Sequence, residues 1–269
     1  SNSLSHTSIL SLHKDMQGNI WVGTYYGGVN VFNPDKNNHS FYCAEPLRED
    51  CLSFPVVGKM TEDSAGNVWI CTEGGGLNCY HGDTGVFSRY MYQKGDQSTL
   101  GSNNVKSVFY RKENNRLYAG THLGGLFVLD LKSNKGHTLH HVTGDPASLP
   151  HEIVNDIQEY KDGIAMLTQG GPVFFDPVTE KFSPLTDDPS VQKLISREYA
   201  FETFLIDSRQ RMWLAVGGGG IVCVNLSSSK VTQYLADSEK DTLTVGRYKT
   251  VHIFEDNKGD IYFSTIGAG

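Results

Sequence analysis

The pattern of apolar and polar positions repeats along the chain with a period of about 48 residues. A hydrophobic residue followed by an aromatic or small residue, with Thr or Val three positions later, recurs at intervals of 47 to 49 residues. The six sites are Ile20-Trp21, Val68-Trp69, Leu117-Tyr118, Ile164-Ala165, Met212-Trp213 and Ile261-Tyr262. A fixed period of this length is the signature of stacked supersecondary units.

Each unit is predicted to contain four short strands separated by turns. In the second unit the strands are predicted at 56–62, 68–72, 76–80 and 86–90, with Asp, Gly and Asn residues between them. Alternating apolar residues bounded by such residues indicate hairpins. No window shows a helical apolar stripe over three turns. Four antiparallel strands per repeat predict an all-β fold, the β-propeller, whose blades pack against their neighbours.

The repeats also predict how the chain is divided. Their approximate boundaries are 3–51, 52–99, 100–148, 149–195, 196–242 and 243–269. The sixth repeat stops where its third strand is expected, so 1–269 is predicted to hold about five and a half blades of a larger array. An open arc leaves apolar faces and strand edges uncovered.

Composition excludes several classes of function. The chain has 269 residues, with 23 Lys and Arg against 30 Asp and Glu, and a net charge of −7. Without a cluster of positive charge, direct nucleic-acid binding by this segment is not expected. No stretch approaches the roughly 18 to 20 apolar residues of a membrane span, so membrane contact by this segment is not expected either. The five Cys form no CxxC pair, which argues against a zinc site.

The repeat motif resembles a known family. The pattern Asp-x-x-Gly-Asn-hydrophobic-Trp-x-x-Thr-x-x-Gly-Gly is intact at 15–28 and 63–76. It resembles the two-component regulator propeller repeat, and lead-ins such as Leu52-Ser53 match as well. The resemblance covers essentially the whole chain. The fourth and fifth repeats depart from it at Ala165, Pro172 and Val216.

This resemblance implies a role in sensing. Proteins of the family are hybrid sensors of carbohydrate-degrading bacteria, in which tandem periplasmic propellers precede an immunoglobulin-like domain, a transmembrane helix, a histidine kinase, a receiver and a DNA-binding helix-turn-helix. The segment would then lie in the periplasm, as part of the ectodomain of an inner-membrane protein. Its implied ligand is an oligosaccharide, and its implied output is transcription of glycan-utilisation genes. The implied protein partner is an adjacent propeller or a second protomer of a homodimer. Neither a cofactor nor catalysis by the segment itself is expected.

The positions that the repeat leaves free are the candidate binding residues. Hairpins between second and third strands emerge at the same end of a propeller as the linkers between blades, and loops on a rigid scaffold commonly carry function. Aromatic faces suit sugar rings, and planar polar groups suit sugar hydroxyls. The candidates are Tyr25, Tyr26, Glu73, His122 and Gln169 in the hairpins, and Arg197 and Arg247 in the linkers. The alternative is that they are solvated turn residues.

Two other functions remain open. The first is a propeller lyase or glycan hydrolase, although Glu73 is the only carboxylate among the free hairpin positions and most glycosidases use two. The second is a structural spacer that sets dimer geometry. No metal site is expected, because His140 and His141 are strand neighbours that point to opposite faces.

Several repeated residues are given a structural interpretation. Trp21, Trp69 and Trp213 are predicted to pack between blades. Cys79 and Cys223 stand at a repeat position filled elsewhere by apolar residues, which predicts buried strand packing. Cys43 and Cys51 lie around one loop, and such a pair can form a disulfide in an oxidising periplasm.

Overall fold

The computed structural model describes residues 3–45, 48–197, 200–234 and 249–265. The described strands form five four-stranded sheets and one two-stranded sheet, each with its strands in sequence order. Neighbouring strands pair antiparallel, as in the second sheet, where Val68–Thr72 pairs with both Val57–Glu62 and Leu77–Tyr80. The predicted all-β fold of four-stranded blades is confirmed, and the described strands form no closed sheet.

The chain forms two compact units. Unit 1 is Ser1–His141 with Glu152–Val154, and unit 2 is Val142–His151 with Asn155–Gly269. The first three sheets comprise β1 Ile9–Lys14, β2 Ile20–Thr24, β3 Val29–Asn33, β4 Asn38–Tyr42, β5 Val57–Glu62, β6 Val68–Thr72, β7 Leu77–Tyr80, β8 Phe87–Tyr90, β9 Val105–Arg111, β10 Arg116–Thr121, β11 Leu126–Asp130 and β12 Lys135–Leu139.

The strands of the fourth, fifth and sixth sheets, together with one helix, follow in chain order. They are β13 Val154–Tyr160, β14 Gly163–Thr168, β15 Gly171–Asp176, β16 Lys181–Pro184, α1 Pro189–Arg197, β17 Phe201–Ile206, β18 Arg211–Val216, β19 Ile221–Asn225, β20 Val231–Tyr234, β21 Thr250–Glu255 and β22 Ile261–Thr265. No helix among the described residues is long and apolar enough to cross a membrane.

A buried aspartate closes the turn between the first two strands in three of the sheets. Its carboxylate accepts the indole N–H of the repeat tryptophan six residues later. The pairs are Trp21 with Asp15 at 2.7 Å, Trp69 with Asp63 at 2.9 Å and Trp213 with Asp207 at 2.8 Å. A buried carboxylate is tolerated only when such donors satisfy it. The sequence placed these aspartates in a turn, but the bond to tryptophan was not predicted.

Asp207 shows the electrostatic consequence of this arrangement. Burial by itself would raise the pKa of its carboxyl group. Hydrogen bonds from the indole of Trp213 and from the backbone and guanidinium of Arg211 outweigh burial and hold the pKa of Asp207 below its usual range. The Arg211 Nε lies 2.6 Å from Asp207 Oδ2. The ionised carboxylate is therefore part of the folded state.

The tryptophans pack between neighbouring sheets of the same unit, as predicted. The Trp21 ring lies 5.0 Å from the ring of Tyr80 in the second sheet, and Trp69 shares a core with Leu117 of the third. Trp213 packs similarly against the last hairpin.

The buried positions predicted for two cysteines are also confirmed. Cys79 and Cys223 are both buried. Burial, together with the nearby charge of Asp63, raises the pKa of Cys79 to about 12. These thiols therefore act as small apolar side chains in the strands.

The linker after the fourth sheet, where the sequence predicts no helix, contains α1. Asp188 caps this helix by accepting the backbone N–H of Val191 at 3.3 Å, and Pro189 occupies the first helical position. Val191 and Ile195 are buried in the core of unit 2. At nine residues the helix is too short to show an apolar stripe over three turns, which is why the pattern missed it.

The disulfide considered for Cys43 and Cys51 is not formed. Both are free thiols, with Cys43 exposed and Cys51 buried. The Cys51 thiol faces the interior of its loop, where it lies 3.5 Å from the carbonyl oxygen of Arg48 and accepts a guanidinium N–H of Arg89 at 3.3 Å. These polar contacts, rather than a covalent bond, hold the loop.

Candidate ligand-binding surface

In unit 1 the hairpin between the second and third strands of each sheet is bonded to the linker that leads into the next sheet. In each case a glycine N–H of the hairpin donates to a linker carbonyl. The pairs are Gly28 with Pro55 at 2.9 Å, Gly76 with Asn103 at 2.8 Å and Gly125 with Glu152 at 2.9 Å. Hairpins and linkers therefore emerge at one end of these sheets, as expected from the sequence.

Local chemistry explains why the two positions after each hairpin threonine are not used in the turn. The hydroxyl of Thr72 donates to the carbonyl of Gly76 at 2.7 Å and so closes the turn. Gly76 has a φ of 72°, and a Cβ there would collide with the carbonyl oxygen of Tyr90. Thr24 and Thr121 close their hairpins in the same way. The two positions that follow each threonine are left partly or fully exposed.

We call the surface formed by the exposed residues Tyr25, Tyr26 and Glu73 and the half-buried residues Lys106 and His122 the loop face of unit 1. The rings of Tyr25 and Tyr26 lie 4.6 Å apart at an interplanar angle of 77°. They remain 42% and 62% exposed, and Tyr26 adopts the left-handed conformation with a φ of 68°. An edge-to-face pair leaves ring surface open to a ligand.

A charged pair lies beside these tyrosines. Lys106 Nζ is 3.6 Å from Glu73 Oε1. The pKa of Tyr25 is raised, first by Tyr26 and to a smaller extent by the charge of Glu73. The Tyr25 hydroxyl therefore stays protonated at neutral pH and can donate a hydrogen bond next to a carboxylate and an ammonium group.

Asn104 connects the second hairpin to the third. It forms an isolated antiparallel bridge with Glu73, and its carbonyl accepts the backbone N–H of His122 at 2.9 Å. Its side-chain Oδ1 is buried, and within the part of the chain that the structure describes it has no hydrogen-bond partner. Asn104 and Lys106 were missed by the sequence analysis, because only the paired backbone brings them to Glu73.

The remaining three predicted site residues belong to unit 2 or lie outside the described residues. Gln169 is exposed in the hairpin between β14 and β15, in unit 2. Arg197 is the last residue of α1, and its side chain lies outside the described residues. Arg247 also lies outside them. The structure thus brings together Tyr25, Tyr26, Glu73 and His122 of the seven candidates.

The chemistry of the loop face suits recognition of a polar ring-shaped ligand. Aromatic surface, a carboxylate, an ammonium group and an imidazole offer stacking together with donors and acceptors. The charged partner of Glu73 is Lys106 and not a second carboxylate. Among the described residues, no group of three or more His, Cys, Asp or Glu side chains is arranged to hold a metal ion.

Comparison with known proteins gives a family match over the first half of one repeat and a fold match over the chain. Residues 3–26 match the family described as two component regulator propeller. The fold is similar to the extracellular domain of a protein from B. thetaiotaomicron described as a hybrid two component system, with a TM-score of 0.76, 23% identity, and coverage of 99% of this chain and 33% of that one. A second such domain from the same organism has a TM-score of 0.71 at 20% identity, covering 96% of this chain and 34% of that one.

The same fold occurs in PorZ, a surface component of the type-IX secretion system of Porphyromonas gingivalis, with a TM-score of 0.66, 13% identity, and coverage of 96% of this chain and 37% of that one. The chain therefore spans about a third of the length of these structures. No curated protein matches the sequence. The predicted resemblance and the propeller fold are confirmed, and the identities are low enough that the structural likeness establishes the fold alone.

Proposed function

We propose that this chain is an extracytoplasmic sensor module of a hybrid two-component system, that it binds an oligosaccharide through the loop face of unit 1, and that it does no catalysis itself. The family match at 3–26 and the fold shared with extracellular domains of such systems support this role. The module would lie in the periplasm, within the ectodomain of an inner-membrane protein. Its ligand would control transcription of glycan-utilisation genes through domains outside these residues.

The observation that carries the proposal is the exposed pair Tyr25 and Tyr26 beside the charged pair Glu73 and Lys106. The fold leaves this aromatic surface uncovered. A sugar ring presents an apolar C–H face that packs on aromatic rings, and its hydroxyls can bond to a carboxylate, an ammonium group and a tyrosine hydroxyl.

Signalling would follow from a difference in affinity. An oligosaccharide that binds one arrangement of this module and its partner better than another shifts the population towards the first. The partner would be an adjacent propeller or a second protomer of a homodimer. No nucleic acid or membrane takes part at this segment under the proposal.

Isothermal titration calorimetry against defined plant, host and microbial oligosaccharides tests the proposal. The titrations use this chain and the longer extracytoplasmic region that contains it. Tyr26→Ala and Glu73→Ala should each weaken the binding of the recognised glycan by about tenfold or more, as expected for a central contact. Phe41→Ala is the matched control, because Phe41 is a 47% exposed aromatic side chain on β4 of the same sheet.

Product analysis separates this function from the alternatives. Under the proposal the bound glycan is recovered intact after long incubation. Shortened or unsaturated products would instead identify a hydrolase or a lyase. Absence of binding across the panel by both proteins would contradict the sensor function and favour a structural spacer.

A further inference from the structure

A polar cleft of about 300 Å³ lies between the first and second sheets of unit 1. The turns β1–β2 and β3–β4 line it on one side, and Gly66, Val68, Tyr80 and Gly82 line it on the other. In an antiparallel sheet these turns lie at the end opposite to the β2–β3 hairpin. The cleft is therefore separate from the loop face.

The floor of the cleft is ordered by aromatic contacts. The indole of Trp21 is held by its 2.7 Å bond to Asp15, and the ring of Tyr42 is parallel to it within 11° at 6.2 Å. The hydroxyls of Tyr42 and Tyr80 lie 3.0 Å apart. Burial, followed by the bond to Tyr80, raises the pKa of Tyr42, so the Tyr42 hydroxyl remains protonated. The floor thus combines rigid ring surface with two hydroxyl groups.

Three polar side chains on the rim are not used by the fold. Gln17, Asn38 and Ser40 line the cleft. In the portion of the chain described by the structure, their side chains make no hydrogen bond to other protein groups. Ser40 is half-buried, so its hydroxyl has restricted access to bulk water. Together these groups supply several donors and acceptors to a molecule in the cleft.

In the second sheet, the serine that corresponds to Ser40 has a hydrogen-bond partner within the fold. Ser88 occupies the register position of Ser40, and its hydroxyl bonds to His81 Nε2 at 2.7 Å. Asn33 occupies the position of His81 in the first sheet, but its side-chain amide donates to Asn19 at 2.5 Å. The first sheet therefore leaves Ser40 without the partner that its counterpart has.

The charges of the lining indicate the class of ligand. Asp15 and Lys36 are the acidic and basic residues of the lining, so they give no net charge. The Asp15 carboxylate is also occupied by bonds from Asn19 and Trp21. A multiply charged anion would require a cluster of cationic donors. Amides and hydroxyls instead match a molecule whose groups both donate and accept.

We propose that this cleft is a second binding site, which takes one ring of a neutral polyhydroxylated molecule such as a monosaccharide. The volume is at the lower limit of small-molecule pockets, which span about 300–1,000 Å³. Ser40, Asn38 and Gln17 bond to the ligand hydroxyls, and the floor of Trp21, Tyr42 and Tyr80 packs against the ring. The site stands independently of the loop face.

Indole N–H signals in a ¹H–¹⁵N spectrum test this site directly. The chain has three Trp, so assignment of three indole signals is sufficient. The probes are D-glucose, D-galactose, D-mannose and N-acetyl-D-glucosamine, titrated separately into the millimolar range. At least one sugar should move the Trp21 signal saturably and leave those of Trp69 and Trp213 in place, because only Trp21 lines the cleft.

Two variants identify the contacts. Ser40→Ala and Asn38→Ala should each raise the apparent dissociation constant by about two- to tenfold, the effect of one lost hydrogen bond. Ser88→Ala, the matched change in the second sheet, should leave it unchanged. The proposal is overturned if no sugar moves the Trp21 signal, or if the response is unchanged in both variants. Dispersed amide spectra confirm folding, and either variant suffices if the other does not fold.

Discussion

Replacement of Asp63 by alanine should destabilise unit 1 by removing the acceptor at the centre of one turn. Asp63 is 4% exposed, and its carboxylate accepts the indole N–H of Trp69 at 2.9 Å. It also accepts the backbone N–H of Ala65 at 2.9 Å and both the backbone and side-chain N–H groups of Asn67 at 3.0 and 2.9 Å. Ala65 is exposed and Asn67 is partly exposed, so water can replace their lost bonds. The buried indole has no such replacement.

The expected loss in free energy of unfolding depends on which donors remain buried without an acceptor. A buried donor without an acceptor costs about 1–3 kcal/mol, and each lost turn bond adds about 0.5–1.5 kcal/mol before water compensates for part of it. Asp63→Ala should therefore lower the free energy of unfolding by about 2–4 kcal/mol. The indole donor can be removed by Trp69→Tyr or by Trp69→Phe, of which Trp69→Phe is the simpler change. The coupling energy between Trp69→Phe and Asp63→Ala should be about 1–2 kcal/mol.

Urea unfolding followed by circular dichroism and tryptophan fluorescence measures these energies. Asp83→Ala is the control, because Asp83 is an exposed turn residue in the same sheet, and such changes usually stay within about 0.5 kcal/mol. A loss of stability in Asp63→Ala no larger than that in Asp83→Ala would contradict the structural role of the Asp63 carboxylate. A coupling energy near zero would refute the assigned role of the bond to Trp69.

Three further predictions concern other parts of the fold. Iodoacetamide should label exposed Cys43 much faster than Cys79, whose pKa is raised to about 12, and equal rates by peptide mass spectrometry would contradict this. Gly76→Ala should lower the urea midpoint more than Gly95→Ala, because both glycines have positive φ but only Gly76 lacks room for a Cβ; equal losses would exclude the steric cause. The lowered pKa of Asp207 means that its stabilisation is present above its unfolded pKa of about 4 and is lost as the pH falls through the folded value. The stability of Asp207→Asn should accordingly depend less on pH in the acid range than that of the parent protein. Acid unfolding curves that match those of the parent would contradict the stabilising role of ionised Asp207.

The repeat and most strand positions could be predicted from the sequence because their causes are local. The second sheet was expected at 56–62, 68–72, 76–80 and 86–90, and its strands are Val57–Glu62, Val68–Thr72, Leu77–Tyr80 and Phe87–Tyr90. Alternation of apolar residues decides which face is buried, and Gly, Asn and Asp decide where the chain turns. The same repeat also indicated which hairpin residues are exposed, Tyr25 and Tyr26 among them.

Contacts between residues distant in sequence were decided only by the tertiary structure. Backbone pairing across the linker brings Asn104 and Lys106 to Glu73, although no local pattern relates them. The direction of the Cys51 side chain, which leaves both loop thiols free, likewise depends on the contact with Arg89. Periodicity therefore determined the blades of this protein, whereas the surface and cleft that can bind ligands arise from packing and pairing between them, which a one-dimensional pattern does not encode.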